Sequence, residues 1–280
     1  MSKHRFLTAA TSLFCACVGT QSAMAELPSL TIKDFLGRFA VAQGGKFLFS
    51  IQTDGAIDLN PLASKKDNIL FKKGISIRPR IEETMQDGSV VARQIDTASL
   101  ESNEPATDKL EKTTIRGKVT GDTTFEITAE VKQGTIFFGG KIIAPGPEVK
   151  NPLRFSVELY FPSAYPTTKF EDEKQMEKFQ KQLEDDKITI KWTDGKKVKQ
   201  TYEENVDASS EKFNGPGIAS AEVDTASFYG KKISVTAAPN SFFKMSNSNS
   251  EPLHKGFSLL WAPDAAKDIG NKAKLAIEVR

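Results

Sequence analysis

Hydrophobic and polar residues alternate with a period of two along most of the chain, in short runs bounded by turn-forming residues, a pattern that predicts strands. Three Asp-Gly pairs sit between such runs. Asp54-Gly55 separates Lys46–Thr53 from Ala56–Asn60, Asp87-Gly88 separates Ile81–Gln86 from Ser89–Ile95, and Asp194-Gly195 separates Ile188–Thr193 from Lys196–Tyr202. Asp-Gly tolerates the positive φ of a tight turn, so each pair predicts a hairpin. Further strands are predicted at Ile69–Phe71, Ile75–Ile81, Thr113–Val119, Thr124–Val131, Thr135–Ile143, Leu153–Phe161, Ile218–Val223, Lys232–Ala237, Gly256–Trp261 and Lys274–Val279. Both faces of Thr135–Ile143 are largely apolar, which predicts a central strand covered on both sides.

One segment changes period. Thr168-Lys169-Phe170-Glu171 fits a capping box, and Met176, Phe179 and Leu183 follow at helical spacing, predicting a helix over Lys169–Asp185. A second short helix is read at Asp34–Phe39. The polar stretches Asp96–Lys112, Glu203–Gly217 and Asn240–Lys255 read as loops. The expected fold is all-β: a large antiparallel β-sandwich, either one body or two lobes with a sub-boundary near 163–187, carrying one helix near 169–185. The large sandwich of galactose-mutarotase-like domains of carbohydrate enzymes is one architecture that suits such a chain, although no motif carries a resemblance.

The N-terminus departs from this pattern. Lys3, His4 and Arg5 precede an apolar run from Phe6 to Val18, and Ala23-Met24-Ala25 offers a small-x-small cleavage site, so residues 1–25 read as a secretory signal and 26–280 as the mature β-sandwich domain, periplasmic or secreted. Phe14-Cys15-Ala16-Cys17 loosely resembles a lipobox with Cys17 as the lipidated residue, but Phe is a poor substitute at its start. The apolar run falls short of the roughly 20 residues of a spanning helix, and no later segment approaches that length. Only four Tyr and two Trp are available for the interfacial girdles of an outer-membrane barrel.

Removal of residues 1–25 takes Lys3 and Arg5 from the 38 basic side chains, leaving 36 against 36 acidic ones, and leaves one His and no Cys. That composition excludes a disulfide framework, zinc–thiolate and iron–sulfur sites, a Cys nucleophile and a multi-His metal centre. No metal and no cofactor is implied. Asp54, Asp58 and Asn60 have calcium-friendly chemistry at the wrong spacing for a Ca²⁺ loop. There is no P-loop, and the Gly44-Gly45 and Gly139-Gly140 pairs lack phosphate-cradling spacing. The Lys pairs at 65–66, 72–73, 196–197 and 231–232 lie among balancing acids, which with the neutral mature charge argues against a nucleic-acid partner.

Two polar rows are the candidate ligand-binding surfaces. In Leu153–Phe161 the alternation sets Arg154, Glu158 and Tyr160 on one face, a set suited to sugar: a ring to stack on and charged groups for hydroxyls. The same row also reads as a solvated face with a cross-strand Arg–Glu pair. In Ile75–Ile81, Arg78 and Arg80 point the same way and form a fork for a carboxylate, sulfate or phosphate; alternatively they guard an edge strand, the position Pro79 implies. Trp192 and Trp261 share apolar faces and read as core residues that end strands beside turns, Tyr165 reads as surface, and His254 reads as a solvated loop residue. The 36 acidic residues offer no carboxylate pair that spacing alone selects for catalysis. The expectation is an exported, non-catalytic binding or structural sandwich with a carbohydrate or cell-surface partner, carbohydrate being the favoured ligand class, and with a carboxylate-dependent carbohydrate-active enzyme and a protein–protein assembly module as the competing readings.

Overall fold

The computed structural model describes residues 37–43, 46–62, 74–163, 165, 172–207, 210–225, 228, 230–247, 251–264 and 266–280. They form two antiparallel sheets of nine strands each, packed face to face. The first sheet contains β1 (Arg38–Gln43), β2 (Phe47–Gln52), β3 (Ile57–Pro61), β4 (Ile75–Thr84), β5 (Val90–Arg93), β10 (Leu153–Pro162), β13 (Asn214–Gly215), β16 (Ser241–Ser246) and β17 (Gly256–Pro263). Its order is β1-β2-β3-β4-β10-β17-β16-β13, with β5 beside the far end of β4. The second contains β6 (Ile95–Ser102), β7 (Lys112–Val119), β8 (Thr123–Lys132), β9 (Thr135–Ala144), β11 (Lys187–Trp192), β12 (Lys197–Thr201), β14 (Ile218–Asp224), β15 (Lys232–Thr236) and β18 (Leu275–Val279). Its order is β12-β11-β14-β15-β18-β9-β8-β7-β6.

Alternation along each strand makes the sandwich. Phe49, Val157, Leu159 and Trp261 of the first sheet and Phe125, Phe138, Ile188 and Val235 of the second are each no more than 1% exposed, and they belong to one continuous core. The sheets come into close contact where β9 passes β10: a Cβ on Gly140 would lie 2.4 Å from the Phe155 ring. Gly140 is thus a place where one sheet's backbone makes room for the other's aromatic side chain.

All three Asp-Gly hairpins form, joining β2 to β3, β4 to β5 and β11 to β12. Only the glycines take positive φ, at 85°, 81° and 88° for Gly55, Gly88 and Gly195. Each turn is therefore a three-residue loop with the glycine as a left-handed bulge, in place of a two-residue turn with both residues left-handed. The aspartates serve differently: Asp54, Asp87 and Asp194 each accept the backbone N–H two residues on, at 2.9 Å in all three.

Several expectations are corrected. β4 is an interior strand, paired with β10 from Leu153↔Glu83 to Tyr160↔Ser76. On its other side β3 reaches only Ile75 and Ser76 while β5 begins at Ile81, so Pro79 occupies a gap in the ladder where its missing N–H costs nothing. β9 is central in its sheet, but its outer face is only partly covered, with Ile143 46% exposed. The stretches read as loops at Asp96–Lys112, Glu203–Gly217 and Asn240–Lys255 contain most of β6, the two-residue β13 and β16 respectively. Phe243 and Met245 supply an inward row in β16 that the surrounding Ser and Asn residues mask in sequence. Phe39 lies in β1 and not in a helix; residues 34–36 and the candidate strand Ile69–Phe71 fall outside the described residues.

The helix α1 (Glu173–Asp185) begins after Asp172, whose side chain accepts the Lys174 N–H at 2.9 Å. It starts later than the expected Lys169; residues 168–171 are outside the described set. Leu183 is buried, Phe179 packs edge-on against Tyr165 and His254, and Met176 remains 39% exposed, so only the C-terminal half of the predicted stripe is covered.

Candidate functional site

The β4–β10 register brings the five predicted residues onto one outward surface of the first sheet. Glu158 stands opposite Arg78, Ser156 opposite Arg80, and Arg154 opposite Glu82. With Phe155, Val157, Leu159 and Phe161 buried in the core, the intervening side chains of β10 must project from the opposite face. β17 extends the surface on the other side of β10, where Ser258 pairs with Tyr160 and Leu260 with Glu158.

Within this surface the charges interlock. Arg80 bridges the strands, its Nε lying 3.3 Å from Glu82 Oε1 and its Nη1 3.2 Å from Glu158 Oε2. Arg154 donates to Glu82 Oε2 through Nη2 at 2.6 Å and Nε at 3.2 Å. The Ser258 hydroxyl donates to Glu158 Oε1 at 2.7 Å. Glu82 is only 4% exposed although it projects outward, because the two guanidiniums cover it. Arg78 behaves differently: its guanidinium carbon lies 4.9 Å from the centre of the Tyr160 ring. That separation suits a cation–π contact.

The cross-strand ion pair of Arg154 is therefore made with Glu82, not with its neighbour on the same strand. The Arg78–Arg80 pair points the same way as expected but does not form a shared fork, since Arg80 is committed to carboxylates and Arg78 to the Tyr160 ring. The edge-guarding role for these arginines falls with the interior position of β4. Ser258 and Lys244, which complete the surface, escaped the sequence reading because their membership depends on strand order. Lys244 stands opposite Leu260, in a strand mistaken for a loop.

The remaining candidates are placed elsewhere. Trp261 is fully buried, while Trp192 is half-buried at the sheet end, packed against Gly217 with Lys196 5.9 Å from its ring centre. Tyr165 is not a free surface aromatic: its ring meets Phe179 and Tyr202 and its hydroxyl lies 3.4 Å from Thr225 Oγ1. His254 is part-buried rather than solvated, with its backbone N–H donating to Tyr202 O at 3.1 Å and its ring perpendicular to that of Phe179, the centres 6.1 Å apart. Beside them the Thr225 hydroxyl donates to the buried Asp186, and burial first, then Asp186, pushes the Tyr202 hydroxyl well above the usual tyrosine value. This cluster pins the end of α1 to the sandwich. An open groove of about 440 Å³ lies on the second sheet between Gln94–Thr97 and Lys118–Asp122, and contains none of the predicted site residues. Among the described residues no group of three or more His, Cys, Asp or Glu is arranged to hold a metal ion, and no helix is long and apolar enough to cross a membrane.

No protein-family model and no curated protein matches the chain. Among solved structures it is similar to the α-N-acetylgalactosaminidase NagBb from Bifidobacterium bifidum, with a TM-score of 0.51 for the GalNAc complex and 0.53 for the Gal-NHAc-DNJ complex. Identity is 11% in both, and the match covers 86% of this chain but 35% and 36% of the enzyme's chain. The chain thus spans about a third of the length of that structure. The likeness is one of fold: this protein is a β-sandwich similar to part of a carbohydrate-active enzyme.

Proposed function

We propose that this protein is an exported carbohydrate-binding β-sandwich whose ligand lies on the outward face of the first sheet. The observation that carries the reading is the convergence of Tyr160, Arg78, Glu158, Arg80 and Arg154 on one surface, an aromatic ring set among fixed hydrogen-bonding groups. Sharing a fold with part of a glycosidase supports a carbohydrate ligand class. Non-catalytic binding is favoured over hydrolysis because Glu82 and Glu158 are already engaged by guanidinium and hydroxyl donors, and so are not poised as the free acid and base or nucleophile of a glycosidase.

Assembly through strand edges is disfavoured by how the edges end. Thr107 and Leu110 hydrogen-bond along β1, β12 carries exposed Lys197 and Lys199, β6 is bulged between Asp96 and Glu101, and β13 is two residues long.

A glycan-array screen of the full chain tests the reading, with Tyr160→Ala as the control. The variant is expected to bind the captured glycan about 1–2 kcal/mol more weakly, since it removes the stacking ring. Its melting curve should move little, because the ring is outside the core. Unchanged affinity for a glycan that the wild type binds would remove Tyr160 from the site. Export is tested separately by the intact mass of protein recovered outside the cytoplasm, expected to begin at Glu26 without a lipid; an acylated species beginning at Cys17 would overturn it.

A further inference from the structure

The charges on the binding face do not all cancel. Arg80 and Arg154 are matched by Glu82 and Glu158, as described above. Arg78 makes no ion pair or hydrogen bond to another described residue; it is exposed, and its one partner among the described residues is the face of Tyr160, a contact that leaves the N–H edges of the guanidinium unused. Lys244 likewise has no ion-pair or hydrogen-bond partner among the described residues. The register places both in one row across four adjacent strands, Lys244–Leu260–Glu158–Arg78. Three strand spacings separate their backbones by about 14 Å. A few linked sugar rings cover that distance; one ring does not.

We propose that the ligand is an acidic oligosaccharide lying across β16, β17, β10 and β4, with carboxylate or sulfate groups received by Arg78 and Lys244 and a ring packed at Tyr160. This rests on the carbohydrate reading above and goes beyond it in naming the charge and extent of the ligand. Electrostatics supports an anion at these positions. The two cations with free donors lie at the ends of the row, while the carboxylate between them is already held by Arg80 and Ser258, so an incoming anion meets donors first. A guanidinium resting on an aromatic ring is also held in place before the ligand arrives, which lowers the ordering cost of a charge-assisted hydrogen bond.

The test is titration calorimetry on the full chain with galacturonic acid oligomers, sulfated galactose oligomers and uncharged galactose oligomers of one length. The acidic oligomers are expected to bind at least about tenfold more tightly than the uncharged one in low salt, and the preference should shrink as salt is raised. Arg78→Met and Lys244→Met should each weaken acidic binding by about threefold or more, and the double variant should bring it to the level of the uncharged oligomer with an unchanged melting temperature. Either order of uronate and sulfate supports the proposal and names the acid group.

Equal binding of acidic and uncharged oligomers, or a preference that survives the double variant, overturns the charge inference and leaves the carbohydrate reading standing. No binding of any oligomer overturns both. Polyglutamate bound as tightly as the acidic oligomers, with Tyr160→Ala indifferent, replaces the saccharide by a bare anion surface and also overturns the proposal.

Discussion

Gly140 and Phe155 show how much one side chain decides at a sheet–sheet contact. A Cβ at Gly140 would also lie 2.6 Å from the Glu126 carbonyl oxygen, so the clash involves backbone that cannot swing aside. Gly140→Ala is expected to cost about 2–3 kcal/mol by pressing on the Phe155 ring of the other sheet and on the neighbouring strand β8 of its own. Gly134→Ala, at φ 78° with open space around it, should cost only about 1 kcal/mol for the left-handed backbone. Denaturant melts of the two variants check the difference; equal losses would mean that both the Phe155 ring and the β8 backbone make room. On the outward face the residue-scale lesson is the opposite. Glu82, Arg80 and Arg154 form a lattice whose guanidiniums are more than a third exposed, so solvent screening keeps their ion pairs modest in worth, and the value of the lattice is to hold the surface in one geometry.

At the scale of elements, two ion pairs tie strands together in a pH-dependent way. Hydrogen bonds from Asn151 and then Arg93 hold the Glu83 carboxyl below its ordinary value of 4.5, linking the β4–β5 hairpin to the segment before β10. Lys274, just before β18, does the same for Glu130 at the end of β8. A carboxyl depressed in the folded state takes up a proton less readily there than in the unfolded chain. Its stabilising contribution is therefore complete above the ordinary value and is lost as pH falls from about 4.5 through the folded value. Stability should decline across that acid range. Glu83→Gln should be less stable at neutral pH and show a shallower decline, measured by chemical denaturation from pH 7 to 3; a decline as steep as the wild type's would assign the effect to other groups. The hairpins were legible at this scale because their chemistry is local. Asp caps and Gly takes the left-handed position within five residues, whatever the rest of the chain does. β16 was not legible, because Ser, Asn and Lys around Phe243 and Met245 look like a loop until the partner strand β17 covers them.

At the scale of the molecule, the folding energy comes from one continuous apolar core between the sheets. No thiol occurs after residue 25, so the melting temperature of a chain beginning at Glu26, the proposed mature start, should not respond to reductant. EDTA should shift it by less than about 4 °C, a change worth about 1–2 kcal/mol in a chain of this size. A larger fall with EDTA would reveal a bound metal. The sheets are built from segments far apart in sequence: β10 joins β4 to β17, and β9 lies beside β18. Such long-range pairing carries a high loop-closure cost and predicts slow folding relative to a helical protein of equal length.

The fold class, the hairpins and the core and outward faces of strands such as β4, β8 and β10 were legible in the sequence alone, because a period of two and the preferences of Asp and Gly act within a few residues. The row Arg154, Glu158, Tyr160 was readable for that reason, and so was the common direction of Arg78 and Arg80. Strand order and register were decided only by the tertiary structure. They pair Arg154 with Glu82 and place Arg78 over a ring 82 positions further along the chain. They also bring Ser258 and Lys244 onto the same surface and put Pro79 in a ladder gap inside the sheet. Many strands of similar composition could pair with one another locally; which of them do is settled by the packing of the whole core, and the makeup of the outward polar face follows from that choice.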